Sequence, residues 1–137
     1  MQKNSKTFTI GVIIGNRDFF PDKLVAEART EVVAMFKKLN ITPVMLSESD
    51  SKLGGVETFS DAQKCAGLFR QHAEEIDGIL VVLPNFGDEK GVAETIKLSG
   101  LTVPVLIQAT PDDLGKMVRD DIAKYRQIIQ TAGIKAD

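Results

Sequence analysis

Four times along this chain an apolar run of strand length ends in a short polar cluster and gives way to a helical pattern. The runs are Phe8–Ile14, 43–46, Gly78–Leu83 and 103–107. The clusters are Gly15, Asn16, Arg17 and Asp18; then Ser47, Glu48, Ser49 and Asp50; then Pro84, Asn85, Phe86, Gly87 and Asp88; and last Gln108, Ala109 and Thr110. Strands that alternate with helices are joined by right-handed βαβ crossovers, which build a parallel sheet covered on both faces. The prediction is an α/β domain: a flavodoxin-like, Rossmann-like three-layer αβα sandwich on a four-stranded parallel sheet of order 2-1-3-4. Ligands bind such sheets beyond the carboxyl ends of the strands, so the clusters mark the place to look for a site. After the last helical pattern, Thr131, Ala132, Gly133 and Ile134 resemble one more helix-to-strand turn, yet the sequence stops at Asp137. That pattern reads as a piece of something larger.

The local signals agree with this layout. The run Phe8–Ile14 is almost continuously apolar, as a strand covered on both faces must be. Pro21 and Asp22 supply helix-start chemistry, and Val25, Ala28, Val32, Met35, Phe36 and Leu39 recur at helical spacing until Asn40 closes the helix. The second strand is expected over 42–46, with Pro43 near its beginning. Ser60 is the expected N-cap of the next helix, whose inward face is Ala62, Cys65, Ala66, Phe69, Ala73 and Ile76. Gly78–Leu83 is the most β-branched stretch and the expected central strand. A helix over 89–98 should turn Val92, Ala93 and Ile96 inward and end at Gly100. A strand over 103–107 follows. A final helix over 120–131 would align Ile122, Tyr125, Ile128, Ile129 and Ala132. The whole of 1–137 reads as one domain.

Charge and composition narrow the function. Seventeen Lys and Arg against 19 Asp and Glu leave a net charge of -2, which provides neither a nucleic-acid footprint nor a membrane-binding face. The single Cys65 excludes an internal disulfide and suits a reducing compartment. With no signal-peptide pattern and no run of the ~20 apolar residues a membrane span needs, the chain reads as a cytoplasmic domain. The dinucleotide fingerprint, the Walker A sequence, the paired acids of a receiver domain and the Ser/Thr-rich phosphate loop of a flavodoxin are all missing after the first strand.

Among the clusters, Arg17 stands at the expected switch between the first and third strands. Its forked donors can hold a carboxylate or the hydroxyls of a polar ligand; alternatively it is a turn residue paired with Asp18 or solvated. Asn85 and Phe86, ending the third strand, combine an amide for hydroxyls with a flat face for sugar C–H groups. The competing reading makes Pro84, Asn85 and Gly87 a tight turn, packs Phe86 on a helix and leaves Asp88 as a helix-start acid. Asn16, beside Arg17, belongs to the same candidate set. His72, Glu74 and Glu75 lie at i, i+2 and i+3 of one helix and do not converge on a metal. Cys65, on an apolar helix face, reads as a buried inert thiol. Glu48 and Asp50 follow an outer strand and read as solvated, and the segment 108–113 reads as crevice rim or as a capped turn. One His and no convergent acid pair leave no complete acid–base or nucleophilic machine, so no catalytic residue, metal ligand or cofactor site is assigned to the chain itself.

Three segments carry a family resemblance: FTIGVIIGNR at 8–17, DGILVVLPNF at 77–86 and VPVLIQATPDD at 103–113. Over about residues 7–117 the chain resembles the amino-terminal domain of the L-fucose/L-arabinose isomerase-like family, and 118–137 departs from that pattern in a helix of its own. The resemblance implies that manganese and its ligands belong to later domains of a metal-dependent aldose–ketose isomerase. It implies that the first domain makes oligomer contacts and lends substrate-binding residues to a neighbouring subunit, with Arg17, Asn16, Asn85 and Phe86 as the matching positions. The expected partners are a small polar ligand or sugar and either further copies or the missing domains. The alternatives are a sugar-binding lobe of the periplasmic-binding-protein type, and an engineered or interaction scaffold without a small-molecule site.

Overall fold

The computed structural model describes residues 7–17, 21–85 and 88–109. They form β1 (Phe8–Ile14), α1 (Asp22–Leu39), β2 (Ile41–Val44), a 3-10 turn (Lys52–Gly54), α2 (Phe59–Gln71), β3 (Gly78–Leu83), α3 (Glu89–Ser99) and β4 (Val105–Ala109). All pairings are parallel, and the strand order is β2-β1-β3-β4, as the alternation of strands and helices requires. The helix expected over 120–131 and the turn after it lie outside the described residues.

The central strands β1, from Gly11 onward, and β3 are buried on both faces, as their nearly continuous apolar runs predict. Ile13, Ile79 and Val81 face α2 and α3, where they meet Val44, Cys65, Phe69 and Val92. Val12, Ile14, Leu80 and Val82 face α1 and meet Val25, Val32 and Phe36. Gly11, within the apolar run of β1, has a packing role. A Cβ there would stand 2.9 Å from Cζ of Phe69, so the missing side chain lets the Phe69 ring lie against the strand.

Helix ends follow local chemistry. Asn40 ends α1 in the left-handed region (φ 57°, ψ 43°), its N–H donating to the carbonyls of Phe36 and Lys37. Gly100 ends α3 at φ 67°, and the Asp88 side chain caps its start by accepting from the Lys90 N–H. The start of α2 differs from expectation: Thr58, not Ser60, is the N-cap. The Thr58 hydroxyl accepts from the Asp61 N–H while the Asp61 carboxylate accepts from the Thr58 N–H, both at 3.1 Å. This reciprocal box satisfies two donors at once and leaves Ser60, two residues further on, inside the helix.

Five further boundaries and faces differ. Ladder pairing in β2 begins at Ile41 and stops at Val44, although Leu46 remains in the core. Ladder pairing in β4 begins at Val105, two residues later than the apolar run suggests; Pro104 has no N–H to give and offers only its carbonyl, which accepts from Ile79 at 2.9 Å. Ala73 lies beyond the end of α2 and is exposed. The buried face of α3 is Gly91, Val92, Thr95 and Ser99, with Ala93 exposed. Small residues fit the tight α2–α3 contact, and the buried Thr95 hydroxyl is satisfied by donating to the Gly91 carbonyl at 2.7 Å. Met35 and Leu39, placed on the inward stripe of α1 by their spacing, are exposed.

Candidate functional site

Where β1 and β3 end side by side, the chain departs in opposite directions: from β1 toward α1 and β2, from β3 toward α3 and β4. This is the topological switch point of the sheet. On the β2 side the switch is walled by the segment after the 3-10 turn. Val56 takes up the parallel position beside Gly15 that β2 has vacated; its N–H donates to the Ile14 carbonyl at 2.7 Å, and its carbonyl accepts from the Asn16 N–H at 3.0 Å. No sequence pattern marks this strand-like step. Its only trace is one apolar residue after Gly54 and Gly55.

The floor of the crevice is a chain of polar side chains. The Asn85 amide nitrogen donates to Oδ1 of Asn16 at 2.8 Å, and Oδ1 of Asn85 accepts from the Arg17 backbone N–H at 3.2 Å. On its other side Asn16 donates through Nδ2 to Oδ1 of Asp22 at 3.5 Å, and Asp22 pairs through Oδ2 with Nζ of Lys52 at 3.1 Å. The start of α1, the ends of β1 and β3 and the turn after β2 are thereby bonded to one another. Asn16 and Asn85 are buried, at 1% and 6% exposure, so their amides bind the fold together. Arg17 is exposed. Its backbone is held by Asn85, and no described residue pairs with its guanidinium. Phe86, Asp18 and the segment 110–113 lie outside the described residues.

The other clusters resolve into turn chemistry. Asp50 accepts through Oδ2 from the Ser47 N–H and hydroxyl at 2.8 and 2.9 Å, and these two bonds, the backbone one foremost, hold its carboxyl below the usual carboxylate range. Glu48 lies 3.7 Å from Nε of Arg29. Arg29 escaped the sequence reading, yet its Nη1 donates to the Leu46 carbonyl at 2.8 Å and ties α1 to the segment after β2. Gln108 and Ala109 belong to β4 itself. His72 and Glu75 pair at 3.1 Å at the end of α2. Cys65 is buried, and burial pushes its thiol up to about 12, so it is a protonated packing residue at neutral pH.

Among the described residues no group of three or more His, Cys, Asp or Glu side chains could hold a metal ion. No described helix is long and apolar enough to cross a membrane. What the crevice offers is the exposed Arg17 side chain, its backbone hydrogen-bonded to the buried Asn16–Asn85 pair, in a position to orient a polar or anionic ligand.

Comparison with protein families places this chain. The family model described as "Fucose/sulfoquinovose isomerase, N-terminal domain" matches residues 11–126, which is most of its length, and the chain belongs to that family. Comparison with curated proteins gave no match, and comparison with solved structures gave none either.

Proposed function

We propose that this domain serves a sugar isomerase by presenting Arg17 to an aldose or ketose bound at the β1–β3 switch, and by associating with other copies or domains of the same assembly. The observation that carries the reading is an exposed Arg17 whose backbone is held at the switch point of a domain of this family. Arg17 orients the sugar through its hydroxyls or an anionic substituent, and Phe86, next in sequence to Asn85, adds an apolar face. Asn16 and Asn85 act mainly by holding the Arg17 backbone, because their amides bond one another. The described residues lack a metal-ligand set, so proton transfer between C1 and C2 is assigned to groups that other domains of the assembly supply. This chain contributes binding and orientation.

Calorimetric titration with L-fucose, sulfoquinovose and neutral pentoses tests the reading. Weak, saturable binding that Arg17→Ala abolishes is the expected outcome. Tight binding indifferent to Arg17 would overturn the site assignment. Turnover of these sugars by the purified chain with manganese would overturn the assignment of chemistry to other domains.

A further inference from the structure

The two faces of the sheet are covered unequally among the described residues. Helices α2 and α3 pack together on one face, while α1 alone lies on the other, over β1 and β2. Beside α1 an apolar groove of about 900 Å³ runs across β1, β3 and β4, with Ile10, Leu80 and Leu106 as its floor and Met35 and Phe36 as its inner wall. Phe8, Met35 and Leu106 stand 54%, 45% and 50% exposed. A parallel sheet is normally buried on both faces, and contiguous exposed apolar surface on this scale marks a docking site.

We propose that this groove is the seat of the chain's own segment 120–132, which lies on it as an amphipathic helix and completes the second helical layer. The identity of the occupant follows from three observations. The segment leaves the described fold at Ala109, the end of β4, and β4 contributes the outer side of the groove. Ten residues separate Ala109 from Asp120, enough to turn over the edge of the sheet and run back antiparallel to β4. The helical pattern 120–131 spans roughly 18 Å at 1.5 Å per residue, close to the roughly 17 Å of a five-residue strand. At helical spacing its apolar residues Ile122, Tyr125, Ile128, Ile129 and Ala132 fall on one stripe that also takes in Asp121, with Gln127 and Gln130 on the opposite side. A tethered segment also has a local concentration that a second copy reaches only in the millimolar range. This inference is independent of any sugar bound at the switch point.

The sequence supplies its own reporter, because Tyr125 is the only tyrosine and there is no tryptophan. Acrylamide quenching of tyrosine fluorescence in the full chain therefore reads residue 125 alone. The expected result is a quenching constant several-fold below that of the urea-unfolded chain, unchanged on dilution and seen where light scattering gives the monomer mass. Leu106→Asp should raise the constant to the unfolded value while far-UV circular dichroism keeps the sheet and helix signal. If Leu106→Asp unfolds the protein, Ile128→Glu, a change outside the sheet, is read in its place with the same expectation. Equal quenching in folded and unfolded chain overturns the proposal. So does protection that survives Leu106→Asp or, where that variant unfolds, Ile128→Glu. Protection that disappears on dilution together with a dimer mass overturns it in favour of a second copy.

Discussion

The side-chain amides of Asn16 and Asn85, 69 residues apart in sequence, meet in a buried hydrogen bond of 2.8 Å across the ends of β1 and β3. The bond fixes the distance between the two strand ends that border the crevice, and Oδ1 of Asn85 then fixes the backbone of Arg17. A buried amide that keeps its partners contributes modestly, whereas one that loses them carries its full desolvation cost.

Asn16→Ala and Asn85→Ala should therefore each lower stability by about 1–3 kcal/mol. Because both remove the same bond, the double variant should lose less than the sum of the single losses. Urea unfolding of the four proteins measures this cycle. Strict additivity would show that the two amides act independently.

Arg17→Ala is expected to behave differently. The side chain is exposed and only its backbone N–H is bonded to Asn85, so the substitution should change stability by no more than about 0.5 kcal/mol. Sugar binding, followed calorimetrically, should be lost. A large stability loss would assign Arg17 a structural role in place of a ligand contact.

The turn that walls the crevice depends on glycine. Gly54 has φ +69°, and a Cβ there would come within 2.7 Å of the Leu46 carbonyl oxygen and press on the Arg29 guanidinium that this oxygen binds. Gly54→Ala should cost about 2 kcal/mol or more, combining left-handed strain with the clash. The neighbouring Leu53 already holds φ 57°, so the turn has no spare residue to absorb the change. Thermal unfolding of the variant checks this. An unchanged midpoint would mean that the turn rearranges freely.

The strand order, the closing roles of Asn40 and Gly100 and the double burial of β1 and β3 were legible because each rests on a short-range pattern of period, run length or cap chemistry. The inward face of α3 was not, because Gly91, Thr95 and Ser99 bury small or hydroxyl-bearing surfaces that an apolar stripe does not register. The start of α2 was missed for a related reason: Thr58 and Ser60 both suit a cap and each has a box partner three residues on, Asp61 and Gln63, so local sequence does not decide between them. For the site, Arg17, Asn16 and Asn85 could be nominated from their position after strands. The bond between the two asparagines, and the placement of Val56 beside Gly15, are long-range facts with no local signature.

Cys65 gives a pH signature with a definite sign. Burial raises the folded-state thiol from its ordinary 9.0 to about 12, so the folded protein favours the neutral thiol more strongly than the unfolded chain does. The stabilisation is complete below pH 9 and is progressively lost as pH rises toward 12, because the unfolded chain releases the proton first. A three-unit difference bounds the effect at about 4 kcal/mol. Cys65→Ala, compared with the parent by urea unfolding between pH 8 and about 11, should start less stable because of the cavity it leaves, then lose less stability as pH rises. In the parent, thiol reagents at neutral pH should react only as fast as the protein opens. Immediate reaction in the folded state would place the thiol at the surface and remove the packing role assigned to it beneath β1 and β3.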